Sequence, residues 1–194
     1  MGLKKFCKDI AYDVVAKSNE NNPLVAQACK DGTIYIGRSM DVNIPEKIPR
    51  YGWRSWKLTS KFGLYVMPHD LSREDRQKHH VEFYVDGVGT HVYPDLEAHG
   101  HKDWRQPTMD ELYHLFHLRN KGALRGTFNT VRDKYSEPWT KTSYMSSNEG
   151  FPSADEYQYK WVRDFSSGEA GKCLTNNIKN VNIRLIRIGP ILSP

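Results

Sequence analysis

A mixed α+β domain is the fold class the sequence predicts, and three observations carry it. One amphipathic helix stands out at 108–121. Short β-branched and aromatic runs lie at 33–37, 62–67, 81–85, 143–146, 157–165 and 181–188. The joints between these runs are rich in Gly, Asn and Ser, residues that turn a chain.

Along 4–17, Phe6, Cys7, Ile10, Val14 and Val15 recur at three- and four-residue steps, the spacing of a helix with one apolar face. The Asn-rich run 18–22 and Pro23 stop it, and 24–29 is expected to add a short turn, so residues 1–30 read as an N-terminal helical arm. Behind the turn signal Asp31-Gly32, residues 33–37 make a first strand. Pro45 and Pro49 break any helix in the less regular stretch 38–61. The runs 62–67 and 81–85 read as two more strands, expected to pair as a hairpin across the charged residues 69–80. Thr108 is the N-cap of the main helix, Glu111 its capping-box partner, and Leu112, Leu115, Phe116 and Leu118 its buried stripe, with Gly122 as the stop.

The 194 residues leave room for one ordinary domain plus an arm or insertion, with enough apolar material, 38 %, to build a core without disulfides or metal. Mean hydropathy is −0.70 and no run approaches about 18 apolar residues, so the expectation is a soluble chain without a membrane span. The basic start is followed by Asp9 and Asp13 rather than an apolar stretch, so no secretory signal is read there. Cytoplasm, virion or export by a non-Sec route are the compartments this leaves. Cys7, Cys29 and Cys173 are odd in number and lack zinc-site spacing, which suits reduced thiols. A net charge of +5 permits an anionic partner without demanding one.

The most specific pattern is a constellation. Asp31-Gly32-Thr33-Ile34-Tyr35 is followed by the run 97–112, which contains His99-Gly100-His101-Lys102-Asp103-Trp104-Arg105-Gln106-Pro107-Thr108. After it come Ser146-Ser147-Asn148-Glu149, Phe165-Ser166-Ser167-Gly168 and Ile183-Arg184-Leu185-Ile186-Arg187. In order and spacing these resemble the bacterial and phage family typified by the Lcl C-terminal domain, which has a Trp-Arg-x-Pro-Thr helix start, a Ser-Ser-x-Glu strand, a Phe-Ser-x-Gly turn and a closing Val-Arg-x-Val-Arg strand. The resemblance implies a C-type-lectin-like fold: a small twisted antiparallel sheet, flanking helices and long loops that present a ligand-binding surface. It covers about 31–37 and 97–188. Residues 38–96 depart from it and read as an atypical insertion in a domain spanning 31–194, and Leu185 stands where the family often has cysteine.

Read as chemistry, most of these residues point to scaffold. Trp104 is expected as a core anchor at the helix entrance, and Arg105 and Glu111 are expected to secure it, by pairing with each other or by binding backbone carbonyls. On 157–165, Trp161 and Phe165 are expected to be buried, with Gln158, Lys160 and Asp164 facing outward. His114 and His117 lie three apart on the helix and could face one metal, but a second such helix is missing; no metal, cofactor or catalytic residue is assigned. Cys173 has no nearby partner cysteine for redox chemistry, and no Gly-x-Ser-x-Gly elbow or phosphate loop occurs.

The leading expectation is therefore a non-catalytic recognition protein that binds a protein, or alternatively a glycan, through its loops. The candidate binding residues are Glu149, Phe151, Tyr157, Gln158 and Lys160, with Asn176, Asn177, Lys179 and Asn182 in the following turn, residue types that supply adaptable hydrogen bonding and amphipathic area. The alternative is nucleic-acid binding through 47–61, where Arg50, Arg54, Lys57 and Lys61 follow helical spacing and interleave with Trp53 and Trp56, so that cations neutralise phosphates and rings stack bases.

Overall fold

The computed structural model describes residues 26–41, 57–79, 81–85, 88–92, 96–131, 141–150, 159–174 and 181–192. The body of the predicted arm (residues 1–25) and most of the basic segment (42–56) lie outside them. Nine strands are described. β1 (Gln27–Ala28), β2 (Ile34–Asp41), β3 (Lys57–Val66) and β9 (Ile186–Pro190) form an antiparallel sheet in the order β1-β2-β3-β9. β4 (Val81–Val85) and β5 (Val88–Val92) form a hairpin, and β6 (Ser143–Gly150), β7 (Tyr159–Asp164) and β8 (Ala170–Leu174) a second antiparallel sheet in sequence order. The helices are α1 (Arg73–His79) and α2 (Met109–Leu118), followed by a single 3-10 turn at Gly122–Leu124. The mixed α+β expectation holds.

Three local expectations are corrected. The run 81–85 does not pair with 62–67; it pairs with β5, joined to it by Asp86-Gly87, the two-residue sequence that most strongly favours a hairpin. The charged stretch between them holds α1, whose Ser72 cap accepts the Asp75 N–H at 3.0 Å and donates its hydroxyl to the Asp75 carboxylate at 2.7 Å. Gln27–Ala28 extend the sheet instead of making a helical turn. Residues 57–66, within the stretch 38–96 that departs from the family resemblance, form β3 between β2 and β9. Lys57 and Lys61 therefore lie on a strand, where helical spacing has no meaning.

Two apolar cores follow from this topology. Ile34, Ile36, Leu64, Val66 and Ile186 from the four-stranded sheet pack on Leu112, Leu115 and Leu118 of α2, with Phe128, Tyr144 and Phe165 closing the cluster. The second core joins Met145, Val162 and Cys173 of the other sheet to Met67, Leu71, Leu96, Trp104, Val181, Ile183 and Leu185. The segment 181–187 stitches both together. Asn182 exchanges backbone hydrogen bonds with Ser143 and Met145, Ile183 and Leu185 accept from Leu71 and Met67, and Ile186 pairs with Arg105 in both directions at 2.9 Å.

Candidate binding face on the three-stranded sheet

The motif residues are absorbed by the framework. Thr108 caps α2 in a complete capping box: its hydroxyl accepts the Glu111 N–H at 3.2 Å, and Glu111 accepts the Thr108 N–H at 2.7 Å. Arg105 clamps the same carboxylate with two bonds of 2.8 and 2.6 Å. Burial pushes the Glu111 carboxyl up, but the Arg105 guanidinium and the Thr108 bonds outweigh it and hold the group below its ordinary value. Trp104 is buried beneath this entrance and donates its indole N–H to the Ala98 carbonyl at 3.0 Å. The entrance is tied to β6, because Asn148 accepts the Met109 N–H at 2.8 Å and the Ser147 N–H reaches Pro107 at 2.8 Å. Ser146, Ser147 and Asn148 bulge from the ladder opposite Trp161 to make those bonds.

Arg184 is the polar centre of the molecule and is fully buried. It donates to Asp70 at 2.7 Å, to the Met67 and Pro68 carbonyls at 3.1 Å and to the Thr127 carbonyl, and its guanidinium lies 4.2 Å from the Phe128 ring centre. The Tyr144 hydroxyl donates to the other Asp70 oxygen at 3.1 Å and accepts the Asn129 N–H at 2.8 Å. Burial and the neighbouring Asp70 charge push that hydroxyl's pKa up, so it stays a donor. The sequence carries one signal for Arg184: it interrupts a run, Ile183 to Ile186, that is otherwise apolar on both faces, the pattern of a segment buried on both sides.

At the opposite corner the Asp31-Gly32-Thr33 turn meets His99 and His101. Asp31 accepts from the Thr33 N–H and hydroxyl at 2.9 and 2.7 Å and from His101 at 3.0 Å, while His99 donates to the Asp31 carbonyl at 3.0 Å. Burial raises the Asp31 carboxyl, but these donors outweigh it and bring it down to about 2. The pair of histidines on α2 is also occupied with the fold: His114 is buried and donates to the Ile36 carbonyl at 3.2 Å, and His117 packs edge-on to Tyr113 and Phe116. Among the described residues no three His, Cys, Asp or Glu side chains converge on a metal position. Cys173 is buried, and burial pushes its thiol up.

Gly150 pairs with Tyr159 and Tyr159 with Leu174, so β6 ends, β7 begins and β8 ends at one end of the three-stranded sheet. Phe151, Tyr157, Gln158, Asn176, Asn177 and Lys179 lie outside the described residues, as do Arg50, Trp53, Arg54 and Trp56. Glu149 stands opposite Lys160 in the ladder. Asn182 is bonded into the frame: its side-chain amide donates to the Lys141 and Ser143 carbonyls at 2.7 and 3.2 Å.

The expected facing of β7 is reversed. Lys160, Val162 and Asp164 are buried, while Tyr159, Trp161 and Arg163 are half-buried on the other face. Lys160 is thus corrected from an outward ligand residue to an inward one, and Asp164 accepts from the Ser166 N–H and hydroxyl at 2.8 and 2.7 Å in the turn to β8. The reason is a period-2 constraint. Val162 must face Met145 and the second core, and a strand that turns Val162 inward takes Lys160 and Asp164 with it. Aromatic and cationic residues tolerate the half-wet face better than Val does.

On that face a cation lies against each of three rings. The Lys172 amine, cross-strand from Trp161, is 5.3 Å from its ring centre; the Arg163 guanidinium is 4.6 Å from Tyr113; and Arg119 is 3.8 Å from Phe116. Arg163 also donates to the Gly168 carbonyl, and Arg119 to the Phe116 carbonyl at 2.6 Å, which holds both heads in place. Gly168 adopts φ +84°, and a Cβ there would meet the Phe116 ring at 2.6 Å, so the turn of the Phe-Ser-x-Gly motif requires glycine to let α2 seat against the sheet. No helix among the described residues is long and apolar enough to cross a membrane. Comparison with protein-family models and with curated proteins finds no match to this chain.

Proposed function

We propose that the chain is a non-catalytic recognition protein of bacterial or phage origin, with a C-type-lectin-like domain of the Lcl C-terminal kind. Its ligand is a protein, with a glycan as the second choice, held at the end of the three-stranded sheet from which 151–158 and 175–180 emerge. The observation that carries this reading is the division of labour among the motif residues. Trp104, Arg105, Thr108, Glu111, Asn148, Asp164, Gly168 and Arg184 are bonded or packed into the frame, while Gly150, Tyr159 and Leu174, the strand ends next to the candidate residues in sequence, share one end of the sheet. A frame so tightly bonded can hold loops in place for contact with a partner.

The test is affinity capture from native-host lysate with the full chain and with a variant carrying Phe151→Ala, Tyr157→Ala and Gln158→Ala. The variant is expected to unfold at the same temperature and to lose the partner that the parent chain enriches. Retention of that partner by the folded variant refutes the reading. The alternative, nucleic-acid binding through 47–61, is separated by filter binding over a salt series: phosphate contacts give affinity that falls steeply with salt, a protein or glycan contact a shallow slope.

A further inference from the structure

From the cation-bearing face of β7, β8 and α2 we infer that the partner approaches with a carboxylate-rich, acidic peptide surface. The inference rests on the recognition reading and adds the partner's chemistry to it. Tyr159 stands at the loop end, and Trp161, Arg163 and Lys172 continue from it on the same side of the sheet toward Tyr113, Phe116 and Arg119 of the α2 region. Lys172 is exposed and the others are half-buried, so the row is reachable from solvent.

Two features select carboxylates. First, the cations are pre-organised: each rests against a ring, and Arg163 and Arg119 are further held by backbone carbonyls, so less side-chain entropy remains to be lost when an acidic group arrives. Second, the rings of Trp161, Tyr113 and Phe116 each already have a cation of this chain against them, and His117 is edge-on to two of them, so three of the four rings in the row offer fewer free surfaces for stacking bases than for charge contacts. A chain charge of +5 is likewise mild for a phosphate polymer and sufficient for an acidic protein surface. Of the nearby acidic residues, Asp164 faces the buried side and is bonded to Ser166, Glu169 sits in the turn beyond it, and Asp110, one turn before Tyr113 on α2, is already engaged within the protein.

The experiment uses the full chain and three labelled probes: a Glu-Gly repeat peptide, the matching Gln-Gly peptide and an oligothymidylate. Saturable binding of the Glu-Gly peptide is expected, weakening as salt rises from about 50 to about 300 mM, with the Gln-Gly peptide inert. Lys172→Glu is expected to weaken the acidic peptide about tenfold and Lys172→Gln less, both with unchanged thermal unfolding. Tighter binding of oligothymidylate than of the acidic peptide, with the same loss in Lys172→Glu, overturns the inference in favour of nucleic acid. Equal binding of the two peptides overturns it also. In the lysate capture, a partner lost by the loop variant but kept by Lys172→Glu sinks this inference alone and leaves the recognition reading standing; a partner kept by both sinks the two together.

Discussion

The Arg184 centre and the Lys172 face contain the same kinds of groups, guanidinium or ammonium against aromatic rings, and differ in what lies on their far side. Arg184 is enclosed: Asp70, three backbone carbonyls and Phe128 surround it, and Tyr144 completes the network through Asp70. Lys172 and Trp161 meet at the wet side of a sheet. A buried cation must find all its partners within the fold, because an unpaired charge there is costly. A half-exposed one, held by a ring, keeps spare donors for another molecule. Stability is thereby assigned to the enclosed cation and contact to the exposed one, although Tyr144 of the Arg184 network pairs with Arg163 and so shares its face of the sheet.

The comparison breaks most readily at Arg184. Arg184→Leu is expected to cost about 3–5 kcal/mol by urea unfolding, since it strands the Asp70 carboxylate and several buried carbonyls. A loss no larger than that of a surface change would mean that the centre is not structural. Next is the seam between the regions. Gly168→Ala forces a side chain into the left-handed region and against Phe116, at a cost of about 1–3 kcal/mol, whereas Ser167→Ala should stay within about 0.5 kcal/mol.

Acid should act on the frame. Glu111 and Asp31 both have folded values below their unfolded ones, so their contributions are present above about pH 4 and disappear as pH falls, for Asp31 by about 2. His114, whose pKa burial lowers, adds a loss of the same sign that begins below about pH 6.5. Urea midpoints should therefore decline from pH 7 to pH 3, and Glu111→Gln, less stable at pH 7, should decline less steeply; a parallel decline would remove Glu111 from the account. The smallest effect is expected at Lys172→Gln, within about 0.5 kcal/mol of the parent in stability. A larger loss would make the exposed face part of the frame and erase the contrast.

Much of the frame was legible because it is written in local chemistry. The capping box at Thr108, the Arg105–Glu111 pair, Trp104 as anchor and the strands near 34, 64 and 144 follow from patterns that neighbouring residues complete among themselves. Asp86-Gly87 was an equally local signal for the β4–β5 hairpin, but matching two stronger strand runs across 69–80 hid it. The facing of β7 was not legible in the same way. Tyr159, Trp161, Arg163 and Lys160, Val162, Asp164 are two alternating sets, each part apolar and part charged, and composition does not rank them.

What the sequence by itself determined is the set of elements, the entrance to α2 and the turns that need Asp-Gly or Ser-Gly, since these depend on hydrogen bonds between residues a few positions apart. Only the tertiary structure decided which strands pair, which way β7 faces and where Arg184 finds its partners, because each turns on groups distant in sequence. Met145 against Val162 selects the inward face of β7, and Asp70 and Thr127 supply the acceptors that make a buried guanidinium tolerable.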